Sequence, residues 1–422
     1  MNRRDLIKSA AAISMGLTAG SAFAIEIKEK RNAKNLIFIN LKGGPSQLEL
    51  FDAKPRSFNS GPTRCIKTHI KDLYFNKTLP ALSELSKNMA VFRMSSPEKD
   101  HKRGQYFLQS GGHRPLSSLT HPGLSSIVGW SLGKNKDLPG AVAVGSFQDS
   151  GYLGSEHTPF GIENLTKTTQ ILQNANKEKQ RIEKLDALKN EFYSYSKYSN
   201  HTAFNNARTI NEKALKLSLN EEFTKAITSS IQTASSSYCP NMEGNSASSI
   251  LESDEFLYND SNSDSFVAQC NMAGNLVKLG IPSIQLELSG WDTHKDNFTI
   301  HNGLTIILNS GVSALVESLK KSGNFDSTLI YISGEFGRTP RINKNEGRED
   351  YSDIFSSCLI SGCIKNPQVF GETSRNGEEI KDAVSISQVS ATILSMMGIK
   401  AEQEIVKDNK LIPLKGRYLT IS

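Results

Sequence analysis

Between residues 284 and 340 the hydrophobic pattern changes period twice, and each strand-like run ends in a polar, glycine-bearing turn. Ile284-Gln285-Leu286-Glu287-Leu288 alternates apolar and polar side chains, as a strand does. It runs into Ser289-Gly290-Trp291-Asp292-Thr293-His294, where a glycine bend delivers an aspartate and a histidine two residues apart. Leu304, Ile307, Leu308, Gly311, Leu315, Val316 and Leu319 then share one helical face, and Ser322-Gly323 stops the helix. A second strand, Thr328-Leu329-Ile330-Tyr331-Ile332-Ser333, ends in Gly334-Glu335-Phe336-Gly337-Arg338-Thr339-Pro340. This is a βαβ unit. Both polar turns fall at the carboxyl ends of its strands, where open α/β sheets place their ligands.

The rest of the chain supplies the partners such a unit needs. Residues 35–41 form a near-continuous apolar run, the mark of an inner parallel strand covered on both faces, and end in Gly43-Gly44-Pro45-Ser46 with Glu49 and Asp52 just beyond. Further strands are predicted at 90–94, 141–144 and 355–361, and further helices at 101–110, 266–278 and 387–397. The expectation is one α/β domain over residues 25–422 with a mainly parallel sheet and helices on both faces. Residues 164–265 interrupt it. Their first part is helical and polar, with Ile182, Leu185, Leu188 and Phe192 at helical steps, and their last thirty residues are rich in Ser, Asn, Asp and Glu. The polar helical part is expected to lie outside the layered domain.

The chain begins with Arg3-Arg4-Asp5-Leu6-Ile7-Lys8, a weakly apolar stretch, and the small-x-small pattern Ala22-Phe23-Ala24. That reads as an export leader of the twin-arginine type, residues 1–24, delivering the protein to the periplasm or the exterior; an ordinary secretory leader is the alternative. Its apolar stretch is shorter than the roughly 20 residues that span a bilayer, and no later segment is apolar enough, so no transmembrane anchor is expected. The formal charge of +6 includes Arg3, Arg4 and Lys8 against Asp5, so cleavage removes two of these charges. The small, dispersed remainder excludes nucleic acid as a partner. Five cysteines, Cys65, Cys239, Cys270, Cys358 and Cys363, show no metal spacing. Free, buried thiols suit folding in a reducing cytoplasm before export; a Cys358–Cys363 bridge is the weaker alternative.

Three segments together carry a resemblance: Gly290-Trp291-Asp292-Thr293-His294, the run from Gly334 to Pro340 quoted above, and Gly43-Gly44-Pro45-Ser46-Gln47-Leu48-Glu49-Leu50-Phe51-Asp52. In this order they resemble the DUF1501 family of exported bacterial proteins, which is related to the alkaline phosphatase and sulfatase superfamily. The resemblance implies an alkaline phosphatase-like three-layer fold. It also implies a metal-binding carboxylate after the first strand, which makes Glu49 and Asp52 candidates, although each also reads as an ordinary helix-start or surface carboxylate. In related enzymes a nucleophile stands at a helix start after a strand; here Ser95, Ser96 and His101 occupy that region, with His101 equally readable as a structural cap, and none lies in a sulfatase-type Cys/Ser-x-Pro-x-Arg motif.

One departure from the family pattern matters. Most relatives carry Asp-His after a Gly-Arg pair, whereas here Gly347-Arg348 is followed by Glu349-Asp350. Oxygen ligands in place of that histidine favour Mg²⁺, Ca²⁺ or Mn²⁺ over Zn²⁺, or mark a decayed site. Two function classes follow. In one, Asp292, His294 and carboxylates from Glu49, Asp52, Glu335, Glu349 or Asp350 hold one or two divalent metals (Mg, Ca, Mn or Zn). The metals would act on a small or polymer-borne phosphate or sulfate ester, with His101 in the site and Arg338 clamping the anion. In the other, an exported binding or assembly protein keeps the fold without the chemistry. Either way Asp292, His294, Glu335 and the Glu349-Asp350 pair are expected to converge, with Glu49 or Asp52, at the carboxyl ends of the strands.

Overall fold

The computed structural model describes residues 33–135, 137–177, 216–236 and 263–399, with short pieces between 184 and 191 and between 405 and 412. The leader, most of the helical pattern of Ile182, Leu185 and Phe192, the Ser/Asn-rich segment and Cys239 lie outside the described residues. In chain order the principal elements are β1 (Asn35–Lys42), α1 (Pro80–Leu85), β2 (Met89–Ser95), α2 (His101–Gln109), α3 (Leu124–Leu132), β3 (Ala141–Val144), β4 (Phe160–Ile162), α4 (Leu165–Lys177) and α5 (Glu221–Ser236). They continue with α6 (Ser263–Lys278), β5 (Ser283–Ser289), α7 (Asn297–Lys321), β6 (Thr328–Ser333), β7 (Phe355–Ile360), β8 (Gln368–Phe370), β9 (Val384–Ser385) and α8 (Ile386–Met396).

Nine strands form one sheet in the order β8-β2-β7-β6-β1-β5-β3-β4, with β9 also pairing to β2. β1 is central and parallel to both β5 and β6, with Ile37 opposite Ile284 on one side and Ile330 on the other. The βαβ unit therefore brackets β1, and the turns after β1, β5 and β6 lie side by side at one edge of the sheet. Within this sheet every pairing is parallel except those of β7, which runs antiparallel to β6 and to β2.

Alternation along β1 builds the layers. Ile37, Ile39 and Leu41 enter a core that includes Ile284, Leu286 and Leu288 of β5 and the apolar faces of α6 and α7; Leu36 and Phe38 enter a second core with Leu108, Ile127, Val389 and Ile393 of α2, α3 and α8. Three layers result, as expected: a mainly parallel sheet with helices on both faces. The polar members of β5 are not exposed either. Gln285 is buried and hydrogen-bonded to Gln109 and Ser125, which is why β5 alternates without having a solvent face. α8 starts one residue earlier than the sequence pattern suggests, because Ser385 and Gln388 form a capping box.

The interrupting stretch is fastened more firmly than its composition suggests. α5 lies outside the sheet, yet Phe223 and Ile227 are fully buried in the first core, and Asn275 of α6 donates to the Ala226 carbonyl at 3.1 Å. A few apolar residues at helical spacing suffice to dock an otherwise polar helix. Cys270 and Cys358 are fully buried, and Cys65, Cys270, Cys358 and Cys363 are free thiols, so the alternative Cys358–Cys363 bridge is not formed. Among the described residues no helix is long and apolar enough to cross a membrane.

Candidate metal centre

Glycine lets the three turns touch. Gly43, after β1, has φ +119°, and a Cβ there would stand 2.6 Å from the backbone nitrogen of Asp292. An L side chain is excluded both by that conformation and by the space. The turn after β6 continues into a two-residue strand, Gly337–Arg338, paired antiparallel with Asp350–Tyr351 so that Asp350 stands opposite Arg338. Asp292, His294, Glu335, Arg338, Glu349 and Asp350 are thereby gathered from three places in the chain, and α2 brings His101 to join them.

Arg338 ties the cluster together. It is fully buried, and all five of its N–H groups are used. Nε donates to the Gly44 carbonyl at 2.8 Å; Nη2 donates to the Gly43 carbonyl at 2.6 Å and to Asp292 Oδ1 at 2.7 Å; Nη1 donates to the Arg348 carbonyl at 3.2 Å and to His294 Nε2 at 3.3 Å. Its charge also faces Asp350 Oδ1, 2.9 Å from Nη1. No donor remains for an external anion. The expected anion clamp is instead a fixed scaffold for Asp292 and Asp350, a correction that follows from burial and complete pairing.

Each histidine is held by a carboxylate. His101 Nδ1 lies 2.7 Å from Glu335 Oε1, and Glu335, fully buried, also accepts from the Gly43 N–H at 3.1 Å and from Gln105 Nε2 at 2.7 Å. With three donors converging on Glu335, Nδ1 of His101 carries the proton and Nε2 faces Asp292 Oδ2 at 3.5 Å and Asp350 Oδ1 at 3.7 Å. The Glu335 hydrogen bond raises the His101 pKa above its ordinary value despite partial burial, with Glu335, Asp350 and Asp292 adding charge. His294 repeats the pattern with Nδ1 2.7 Å from Glu349 Oε2. Its Nε2 lies 3.1 Å from Asp292 Oδ1 and 3.3 Å from Arg338 Nη1. Asn343 Nδ2 steadies Glu349 at 2.7 Å, and this bond, followed by that to His294, lowers the Glu349 pKa. At Asp292 burial pushes the pKa up, but the hydrogen bond and charge of Arg338, then His101 and His294, outweigh it and hold the carboxyl below its ordinary value.

Glu49 and Asp52 are elsewhere. The single 3₁₀ turn Gln47–Glu49 directs Glu49 inward, where it takes Nε and Nη2 of buried Arg348 at 2.9 and 2.8 Å, with Asn297 and Thr63 on its remaining lone pairs. Burial would raise its pKa; the charge and hydrogen bonds of Arg348 reverse the sign and lower it. Asp52 is buried against Arg93 at 2.7 Å, Lys54 at 2.9 Å and Thr373 at 2.7 Å. Both are structural ion pairs, so neither joins the metal candidates. Glu335 and Glu349, also expected as ligands, spend their oxygens orienting histidines, and His294 Nε2 stands between Asp292 Oδ1 and Arg338 Nη1. Ser96 Oγ accepts from the Glu98 N–H at 3.2 Å, and the start of α2 is closed by the Asp100 side chain on the Arg103 N–H at 2.9 Å.

What remains is a three-donor set. His101, Asp292 and Asp350 each offer one ligand atom, and these atoms lie within 4.8 Å of one another. His101 Nε2 is a buried atom without a hydrogen-bond partner, and Asp350 Oδ1 has the Arg338 ion pair but no hydrogen bond, an arrangement that a cation would complete. Four carboxylates, Asp292, Glu335, Glu349 and Asp350, gather here around one guanidinium and two imidazoles. In chemistry and spacing the set fits a divalent cation. Sequence reasoning missed Gln105, Asn343 and the Gly43 N–H. His101, Gln105 and Gln109 stand at i, i+4 and i+8, so a polar stripe on α2 was the available signal for Gln105.

The fold and the site thus define a three-layer α/β protein with a histidine–carboxylate centre at the carboxyl ends of its sheet. Residues 33–418 match the family described as "Protein of unknown function (DUF1501)", and the chain belongs to that family. None of the curated proteins matches it. Among solved structures it is similar to BT1596, a 2-O GAG sulfatase, with 10% identity and a TM-score of 0.42 over 91% of this chain and 73% of that one. It is also similar to the lipoteichoic acid synthase LtaP from Listeria monocytogenes, with 10% identity and a TM-score of 0.39 over 93% and 78% of the two chains. For the phosphonate monoester hydrolase SpPMH from Silicibacter pomeroyi the values are 10%, 0.37, 90% and 76%.

Proposed function

We propose that this protein is an exported, divalent-cation-dependent hydrolase of phosphate or sulfate esters, with the cation held by His101, Asp292 and Asp350. The observation that carries the reading is the convergence of three ligand atoms within 4.8 Å, from His101, Asp292 and Asp350, with His101 Nε2 buried and without a hydrogen-bond partner. One imidazole and two carboxylates suit Mn²⁺ or Zn²⁺. A bound cation supplies Lewis-acid polarisation of the ester and offsets the negative charge of the cluster. The chain's own residues do the rest. Glu335 keeps the His101 proton on Nδ1, Arg338 fixes Asp292, and half-exposed His294, backed by Glu349, is the group placed to move a proton. Export rests on the Arg3-Arg4 leader pattern.

The second reading, a non-catalytic binding or assembly protein, is favoured by one observation. Among the described residues no Ser, Thr or Cys side chain is hydrogen-bonded to His101, Asp292 or Asp350, and Arg338 has no free donor. The test is metal analysis of protein purified without chelator, followed by a panel of aryl phosphates and sulfates with the parent and Asp292→Ala. Stoichiometric metal with turnover lost in the variant supports the hydrolase. Metal without turnover supports the binding protein; no metal and no turnover overturn the catalytic reading.

A further inference from the structure

Behind the His101–Glu335 pair stands an amide whose orientation the structure determines. Gln105, one turn after His101 on α2, donates from Nε2 to Glu335 Oε2 at 2.7 Å and to Asn40 Oδ1 at 3.3 Å. Its Oε1 accepts from Asn40 Nδ2 at 2.8 Å and from Gln109 Nε2 at 3.0 Å. Turning the amide over would set donor against donor at Gln109 and acceptor against acceptor at Glu335, so only one orientation pairs every group. That orientation is anchored in the sheet: Asn40 is a fully buried residue of β1, and Gln109 Oε1 accepts from Gln285 of β5 at 3.2 Å and from the Gln148 backbone N–H at 2.6 Å.

We propose that Gln105 is a positioning residue of the cation centre: it fixes the Glu335 carboxylate, which fixes His101 in the Nδ1–H tautomer with the Nε2 lone pair turned to Asp292 and Asp350. The metal consequence rests on the cation reading above; the tautomer does not. Neutral imidazole has one nitrogen free to bind a cation, and only the partner of the other decides which. Without the Gln105 donor, Glu335 Oε2 keeps only the 3.4 Å bond from the Gly43 N–H, and the ring that Glu335 orients is free to exchange tautomers.

The test uses the full-length mature chain with ¹⁵N-labelled histidine, the His101 signals being assigned by their loss in His101→Gln. Spectra are recorded at a pH where the imidazole is neutral, and Mn²⁺ and Zn²⁺ affinities are measured by calorimetry on the same samples. Expected are the Nδ1–H tautomer in the parent, and in Gln105→Met a tautomer mixture with affinity lower by on the order of 10-fold. A merely structural role for Gln105 would not move the tautomer. Unchanged tautomer and affinity in Gln105→Met would overturn the proposal. So would an Nε2–H tautomer in the parent, a measurement that needs no variant to fold. If the parent takes up neither Mn²⁺ nor Zn²⁺, the cation reading fails, and the tautomer comparison alone decides the role of Gln105.

Discussion

Replacing Glu49 by leucine separates a structural ion pair from a metal ligand. Glu49 and Arg348 are both fully buried, and each spends its whole hydrogen-bonding capacity inside the protein. Besides its two bonds to Glu49, Arg348 donates to the carbonyls of Asn59 at 2.7 Å, Thr339 at 3.1 Å and Pro340. Glu49→Leu keeps those carbonyl bonds but strands the guanidinium without a counter-charge, a loss of about 3–5 kcal/mol. Adding Arg348→Met removes the stranded charge while leaving three carbonyls unpaired, so the double variant should lose less than the sum of the singles by about 1–3 kcal/mol. Denaturant midpoints read by circular dichroism give these numbers. The acid limb is a second readout. The Glu49 carboxyl titrates lower in the folded chain than in the unfolded one, so its contribution is present above the unfolded value and disappears as pH falls through the folded value. The parent should therefore lose stability on acidification more steeply than Glu49→Leu. A stability loss under about 1 kcal/mol combined with abolished metal uptake would refute the ion-pair reasoning, since that is how a ligand behaves.

Gly43→Ala should cost on the order of 1–3 kcal/mol and weaken metal binding, because the new methyl group must displace Asp292, whose nitrogen lies 2.6 Å from its position; calorimetry and thermal melts check both effects. His301 is buried, with Nε2 accepting from the Ser46 N–H at 2.8 Å and Nδ1 donating to the Asn297 carbonyl at 3.0 Å, and burial lowers its pKa to about 4. His301→Leu leaves that N–H unpaired, and the denaturant midpoint should register a loss of about 1–3 kcal/mol. Cleavage is expected after Ala24, and an Arg3→Lys, Arg4→Lys precursor should remain in the cytoplasm on fractionation; normal export of that variant would sink the twin-arginine assignment.

The central strands were legible because burial on both faces writes itself into composition, as in Leu36, Ile37, Phe38 and Ile39, and because each ends at a glycine that no other residue replaces. The reversed direction of β7 was not legible. Phe355, Cys358, Leu359 and Ile360 would suit a buried strand running either way, and only the pairing with Met89–Ser95 and Thr328–Ser333 sets it. At the site, Asp292, His294, Glu335 and the 349–350 pair could be named as candidates because each belongs to a glycine-bearing motif. Their roles could not. Glu49 looks like a ligand beside Gly43-Gly44 until it meets Arg348, 299 residues further on. No local pattern announces a pairing over that separation.

Asp350 in place of the expected histidine changes the charge that Arg338 meets. A neutral imidazole at position 350 would face Arg338 Nη1 at close range, as Asp350 Oδ1 does at 2.9 Å, without countering its charge. The carboxylate offsets that charge, but it adds a fourth negative group to a cluster whose only guanidinium is already saturated. The centre therefore gathers four carboxylates around one guanidinium, with His101 Nε2 buried and without a hydrogen-bond partner, and a dication would offset the one and pair the other. An anionic ester would meet repulsion at the same place unless the cation were already bound, because Arg338 has no hydrogen left to offer it. Under the proposed reading, the carboxylates that attract the metal are also what make the site depend on it, and Asp350 strengthens that dependence.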